Sequence, residues 1–172
     1  SDINVIKSVM GKHGVTFNKG LGQNFLVDPD VCPAMAEAAG LDENTCAIEI
    51  GPGVGVLTAE LAKRAGKVLS FEVDNRLLPV LDETLADFNN VEIINQDVMK
   101  ADLKKIIEEK CKGMEIAVCA NLPYYITSPI IMLLLESKLP IKSITVMVQK
   151  EAADRLCADV GSRDGGAVTV AV

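Results

Sequence analysis

Glu49-Ile50-Gly51-Pro52-Gly53-Val54-Gly55 decides how the rest of this chain is read. Before it, Cys46 to Ile50 is a short apolar strand. After it, Val56 to Ala65 has helical character and is closed by Gly66. A glycine turn between strand and helix lets the backbone approach a ligand closely, and the helix N-terminal amides point into the same space. The spacing is GxGxG, not the GxGxxG of a dinucleotide fingerprint. Alone the motif is weak, because a tight strand-to-helix turn needs glycine with or without a ligand.

Working outward, helix and strand alternate from residue 28 onward. Asp28-Pro29 reads as a cap and first helical position, and Gly40 ends that helix. Further strands are expected over Lys67 to Val73, Val91 to Asn95, Glu115 to Ala120 and Ser143 to Val148. Helices are expected from a cap at Asn75 to about Phe88, then over Ala101 to Lys112, Pro129 to Ser137 and Lys150 to Asp159. This alternation predicts an α/β fold, a mostly parallel sheet with right-handed crossovers and helices on both faces. Residues 165–172 favour strand and stop in mid-pattern, so the chain is expected to be part of a longer protein. Two units are expected, an N-terminal arm over 1–27 and an α/β domain over 28–172.

The 172 residues suffice for one domain with a real core, and 49% of them are hydrophobic, which excludes a disordered chain. No apolar run is long enough to cross a bilayer, and no secretory leader pattern is visible, so no membrane partner is expected. Five scattered cysteines without a CxxC pair, and a single histidine, His13, argue against a zinc site or a disulfide framework. No metal is expected, and a reducing cytoplasm is. The net charge of −7 runs against nucleic-acid binding. The arm is the exception: Lys7, Lys12, His13 and Lys19 cluster there with Asp2 as the only acid. Such an arm suits either local contact with phosphates or a solvated terminus.

Two acids strengthen the glycine turn. Glu72 ends the second expected strand about twenty residues on, where a carboxylate accepts hydrogen bonds from ribose hydroxyls. Its bland alternative is a surface carboxylate. Asp97, just past the third strand, is placed to accept from the exocyclic amine of an adenine, or simply to cap a turn. Three strand ends thus offer polar groups to one adenosine-like ligand.

The second informative stretch is Asn121-Leu122-Pro123-Tyr124, which follows the apolar run Ile116 to Ala120. An amide, a rigid proline and an aromatic ring stand together at the carboxyl end of a strand, where open α/β sheets bind ligands. The set suits methylation of an amine on a flat ring. That nitrogen's lone pair is delocalised, and acceptors on its N–H groups favour the tetrahedral form that can attack. The Asn121 side-chain oxygen and the Leu122 carbonyl are the candidate acceptors. Pro123 fixes the backbone, and Tyr124 offers a stacking face worth about 1–3 kcal/mol. The alternative is a proline turn whose tyrosine packs in the core. Both tyrosines of the chain, Tyr124 and Tyr125, lie here.

The chain resembles the ribosomal small-subunit RNA adenine dimethylases. The resemblance rests on Lys19 to Leu26, Glu49 to Thr58, Phe71 to Asp74 and Asn121 to Pro129, in the family's order and across nearly the whole chain. It implies a Rossmann-like methyltransferase fold and S-adenosylmethionine as methyl donor. It implies transfer to N6 of two adjacent adenines of small-subunit rRNA, within a pre-assembled ribosomal subunit and with a role in ribosome assembly. It also implies that Gln23, Asn24 and Leu26 close over a donor site lined by Gly51, Gly53, Glu72, Asp97 and Asn121. Asn121, Leu122, Pro123 and Tyr124 would be the catalytic turn. Relatives usually carry two further strands and a small helical domain after this point. A monomer is expected. Three other readings stay open: a large-subunit rRNA adenine methylase of the macrolide-resistance kind, a ribosome-assembly binding factor, and a nicotinamide dehydrogenase. The GxGxG spacing speaks against the last.

Overall fold

The computed structural model describes residues 5–9, 15–18, 23–26, 31–147, 154–155, 158 and 167–171. Along the chain come β1 (Val5–Val9), β2 (Val15–Asn18), β3 (Gln23–Leu26), α1 (Val31–Ala38), β4 (Thr45–Ile50) and α2 (Val56–Arg64). Next are β5 (Lys67–Phe71), a 3-10 turn (Asn75–Leu77) leading into α3 (Leu78–Thr84), β6 (Val91–Ile94) and α4 (Leu103–Lys110). The rest are β7 (Glu115–Ala120), α5 (Tyr124–Glu136), β8 (Ile141–Met147) and β9 (Ala167–Ala171). Seven strands form one sheet in the order β6-β5-β4-β7-β8-β1-β9, every pairing parallel. β2 and β3 pair antiparallel as a separate hairpin.

The central strands are apolar on both faces because helices cover both. All six residues of β4 are buried. Cys46, Ile48 and Ile50 pack with Leu103 and Ile107 of α4 and Ile131 and Leu134 of α5. Ala47, pointing the other way, packs with Met35 of α1 and Leu57 and Leu61 of α2. The two-residue side-chain period of a strand therefore sorts one short sequence into two cores. Fully buried side chains such as Phe71, Leu61 and Leu134 each contribute about 1.5–3 kcal/mol relative to exposure.

Several boundaries differ from the sequence-based expectation. The expected second strand stops at Phe71, although the Glu72 N–H still donates to the Ile94 carbonyl at 3.0 Å. The helix after it is capped by Asp74, not Asn75; the Asp74 carboxylate accepts from the Arg76 N–H at 2.9 Å. Pro79 falls in the first turn of α3, where a missing N–H costs nothing. The helix expected from Pro129 begins at Tyr124 instead, and Pro129 lies inside it. Pro123, at φ −55° and ψ 148°, is the true cap, and its carbonyl accepts from the Ile126 and Thr127 N–H groups, each at 3.0 Å. Pro129 withholds a proton only from the Tyr125 carbonyl, on an exposed residue that water reaches. The expected helix over 150–159 lies outside the described residues except 154, 155 and 158, which are helical.

Strand order creates the site. From β4 the chain moves through β5 to β6, then crosses back to β7 on the other flank of β4. The turns after β4 and β7 diverge there and leave a crevice at the carboxyl edge. Ile50 is level with Phe71 and Ala120, and Phe71 is level with Ile94. The next residues, Gly51, Glu72, Asn95 and Asn121, therefore line one row along that edge.

Candidate active site

Gly51 is required twice over. Its φ of +71° lies in the left-handed region, and a Cβ there would come within 2.6 Å of Leu122 Cδ2. The glycine turn after β4 thus packs directly against the proline turn after β7. The Gly51 N–H donates to the Phe71 carbonyl at 3.0 Å, tying the same turn to β5.

Two carboxylates lie behind this edge. Glu49, 1% exposed, accepts from the hydroxyls of Thr58 and, at 2.8 Å, Ser70. Burial pushes its pKa up from 4.5 to about 7, the two hydroxyls oppose the rise, and nearby Glu72 adds to it. Glu72 is 2% exposed. Its Oε2 accepts from the Asp74 N–H at 3.0 Å, and the Asn95 side chain donates to its carbonyl at 2.8 Å. Burial raises its pKa as well, against the lowering effect of backbone N–H groups of Asp74, Gly53 and Val73. Glu72 Oε1 is buried and has no hydrogen-bond partner.

Asn121, half-buried, follows β7, and its Oδ1 is likewise buried without a partner. Among the described residues only two other side-chain oxygens share that condition, the hydroxyls of Ser143 and Thr145 on β8. Unpaired buried acceptors are costly, about 1–3 kcal/mol each, so a carboxylate oxygen and an amide oxygen left open on one edge mark a place for donors. A ligand rich in hydroxyl and amine groups fits that need. Leu122 and Pro123 are half-buried beside Asn121, and Tyr124 begins α5. The Leu122 carbonyl accepts from the Thr127 hydroxyl at 3.1 Å.

Asp97 is half-buried beyond β6. Its Oδ1 accepts from the Met99 N–H at 2.9 Å, so the turn-capping role is real. Gln23, Asn24 and Leu26 lie in β3, paired with β2 and outside the main sheet. The large apolar side chains most exposed among the described residues, Val56, Val73, Met99 and Tyr125, all sit on turns or first helical residues at this same edge. Sequence reasoning missed the Gly51–Leu122 packing, the Asn95 anchor on Glu72 and the Thr127 bond. Only Thr127 carried a signal, a hydroxyl residue one turn after a proline cap.

Residues 14–172 match the family model described as ribosomal RNA adenine dimethylase. The ribosomal RNA small subunit methyltransferase A of Alkaliphilus oremlandii (strain OhILAs) is 51% identical over 166 residues, 96% of this chain and 58% of that one. The protein of the same name from Geobacillus thermodenitrificans (strain NG80-2) is 53% identical over 167 residues, 96% of this chain and 57% of that one. The crystal structure of the 23S rRNA methyltransferase ErmE superposes with a TM-score of 0.64 at 35% identity, covering 80% of this chain and 53% of that one. The chain spans a little over half the length of the curated relatives it matches.

Proposed function

The chain belongs to the ribosomal RNA adenine dimethylase family, and from that premise we propose that the protein dimethylates N6 of two adjacent adenines of small-subunit rRNA. Its substrate is a pre-assembled ribosomal subunit in the cytoplasm, it acts as a monomer, and it takes part in ribosome assembly. S-adenosylmethionine supplies an electrophilic methyl group on a sulfonium. The single observation carrying this reading is the pair of unpartnered buried acceptors, Glu72 Oε1 and Asn121 Oδ1, on either side of the glycine turn.

Glu72 Oε1 accepts from the donor's ribose hydroxyls. Gly51 and Gly53 let its backbone-facing parts come close, and the Asp97 carboxylate accepts from its adenine amine. Within residues 1–27, Val5–Val9 is anchored in the main sheet, and the β2–β3 hairpin closes over the donor through Gln23, Asn24 and Leu26. Asn121 Oδ1 and the Leu122 carbonyl accept from the target amine as it becomes tetrahedral, Pro123 holds the turn, and Tyr124 stacks on the flipped base. The new N–C bond forms as the S–C bond breaks, and the proton lost from nitrogen passes to water, so no histidine base is needed.

The small subunit is favoured as target because identity to small-subunit relatives is 51–53%, against 35% to the 23S enzyme. The test is methyl transfer to purified immature small and large subunits, with calorimetric binding of S-adenosylmethionine and NAD alongside. Methylation of small subunits with donor binding and no NAD binding is expected. Preference for large subunits overturns the target, and binding of NAD alone overturns the chemistry.

A further inference from the structure

We propose that Thr127 is a positioning residue for the reaction: it aims the Leu122 carbonyl at the substrate amine and touches neither substrate nor donor. This rests on reading residues 121–124 as the catalytic turn.

Thr127 is 1% exposed, one turn into α5. Its hydroxyl oxygen is 3.1 Å from the Leu122 carbonyl oxygen and 3.0 Å from that of Pro123. A hydroxyl has one proton to give, and a carbonyl has two lone pairs. The Pro123 carbonyl already accepts from two N–H groups, those of Ile126 and Thr127, each at 3.0 Å. The Thr127 proton is therefore worth most on Leu122 O, where it holds one lone pair and leaves the other for the amine. Pro123 restricts its own φ and, as the following residue, keeps ψ of Leu122 in the extended range, a broad well within which that carbonyl still swings by tens of degrees. Two contacts stop the swing. The Leu122 side chain lies on Gly51, so close that a Cβ there would meet Cδ2 at 2.6 Å, and the Thr127 hydroxyl donates to the Leu122 oxygen itself. The carbonyl is thereby fixed between the donor turn and α5, as a preorganised acceptor must be.

A plain helix-capping role for Thr127 would affect stability only. Thr127→Val keeps the shape and removes the proton, and Thr127→Ser keeps the proton. Single-turnover methylation of small subunits is expected to slow about tenfold in Thr127→Val, the scale of a modest misplacement of a catalytic group. The KM for subunits and the affinity for S-adenosylmethionine should stay within about twofold, and Thr127→Ser should recover most of the rate. A Thr127→Val rate equal to wild type overturns the assignment. So does a serine variant as slow as valine, or a loss that appears wholly in KM. If the wild-type protein itself leaves small subunits unmethylated, the catalytic reading fails first and the role of Thr127 falls with it.

Discussion

Glu49, on β4, and Glu72, one residue past β5, are almost equally buried, at 1% and 2% exposed, yet their surroundings differ in kind. Glu49 Oε1 accepts from the hydroxyls of both Thr58 and Ser70, so its carboxylate joins α2 and β5 to β4 beneath the glycine turn. Glu72 accepts from one backbone N–H, that of Asp74, on Oε2 and leaves Oε1 without a partner. Depth of burial therefore does not separate a structural acid from a binding one. The unpaired acceptor distinguishes the two, because such an atom is costly to bury and can be relieved by a donor from outside the fold. Asn121 belongs with Glu72 on this criterion.

The largest effect that sharpens this contrast is expected at Asn121. Asn121→Ala should lower the single-turnover methylation rate about 10²–10³-fold, or 2.7–4 kcal/mol, with subunit affinity nearly unchanged. A normal rate in that variant removes Asn121 from the acceptor pair.

Glu49 should announce itself through pH. Below 4.5 it is protonated whether the chain is folded or not. Between 4.5 and about 7 the folded protein keeps a proton that the unfolded chain has released, so stability falls as pH rises through that window and levels off above it. Glu49→Gln keeps an acceptor for Thr58 and Ser70 but removes the titration. Urea unfolding at about pH 5 and about pH 8 should show the wild type losing on the order of 3 kcal/mol more than the variant. Parallel pH profiles would contradict a buried, singly titrating Glu49.

Glu72→Ala is expected to weaken S-adenosylmethionine binding by about 1.5–3 kcal/mol, the scale of a hydrogen bond to a charged group. Calorimetry on a folded variant with unchanged affinity would make Glu72 a second structural acid and dissolve the comparison. Gly51→Ala should cost about 1–2 kcal/mol of stability through its positive φ and should also shift Leu122, lowering the methylation rate. Stability loss with an unaltered rate would show that Leu122 tolerates the displacement. The smallest effect is expected at Asp97. Asp97→Ala should reduce donor affinity by about 1 kcal/mol. If only the thermal midpoint moves, Asp97 caps the turn to Met99 and does no more.

The alternating order of helix and strand, and both turns of the site, were legible because they depend on local chemistry: glycine and proline at fixed places, apolar runs between them. Element ends were less legible. Pro129 reads locally as a helix start, yet Pro123 caps the helix because its carbonyl receives two N–H groups that only the folded turn brings to it. Likewise, nothing in 1–27 marks Val5–Val9 as a strand between β8 and β9, since parallel pairing joins residues far apart in sequence.

What the sequence determined by itself is the class of fold, the alternation of strands and helices from residue 28 onward and the two motifs at the strand ends. Those follow from side-chain period and backbone freedom, which act over a few residues. What only the tertiary structure decided is which acid meets hydroxyl groups and which keeps a buried oxygen without a partner. Glu49 and Glu72 are the same residue type near the ends of neighbouring strands. Their difference lies in partners supplied from elsewhere, two hydroxyls for one and an open edge for the other. The packing of Gly51 on Leu122 was decided in the same way, by the strand order that places the turns after β4 and β7 side by side.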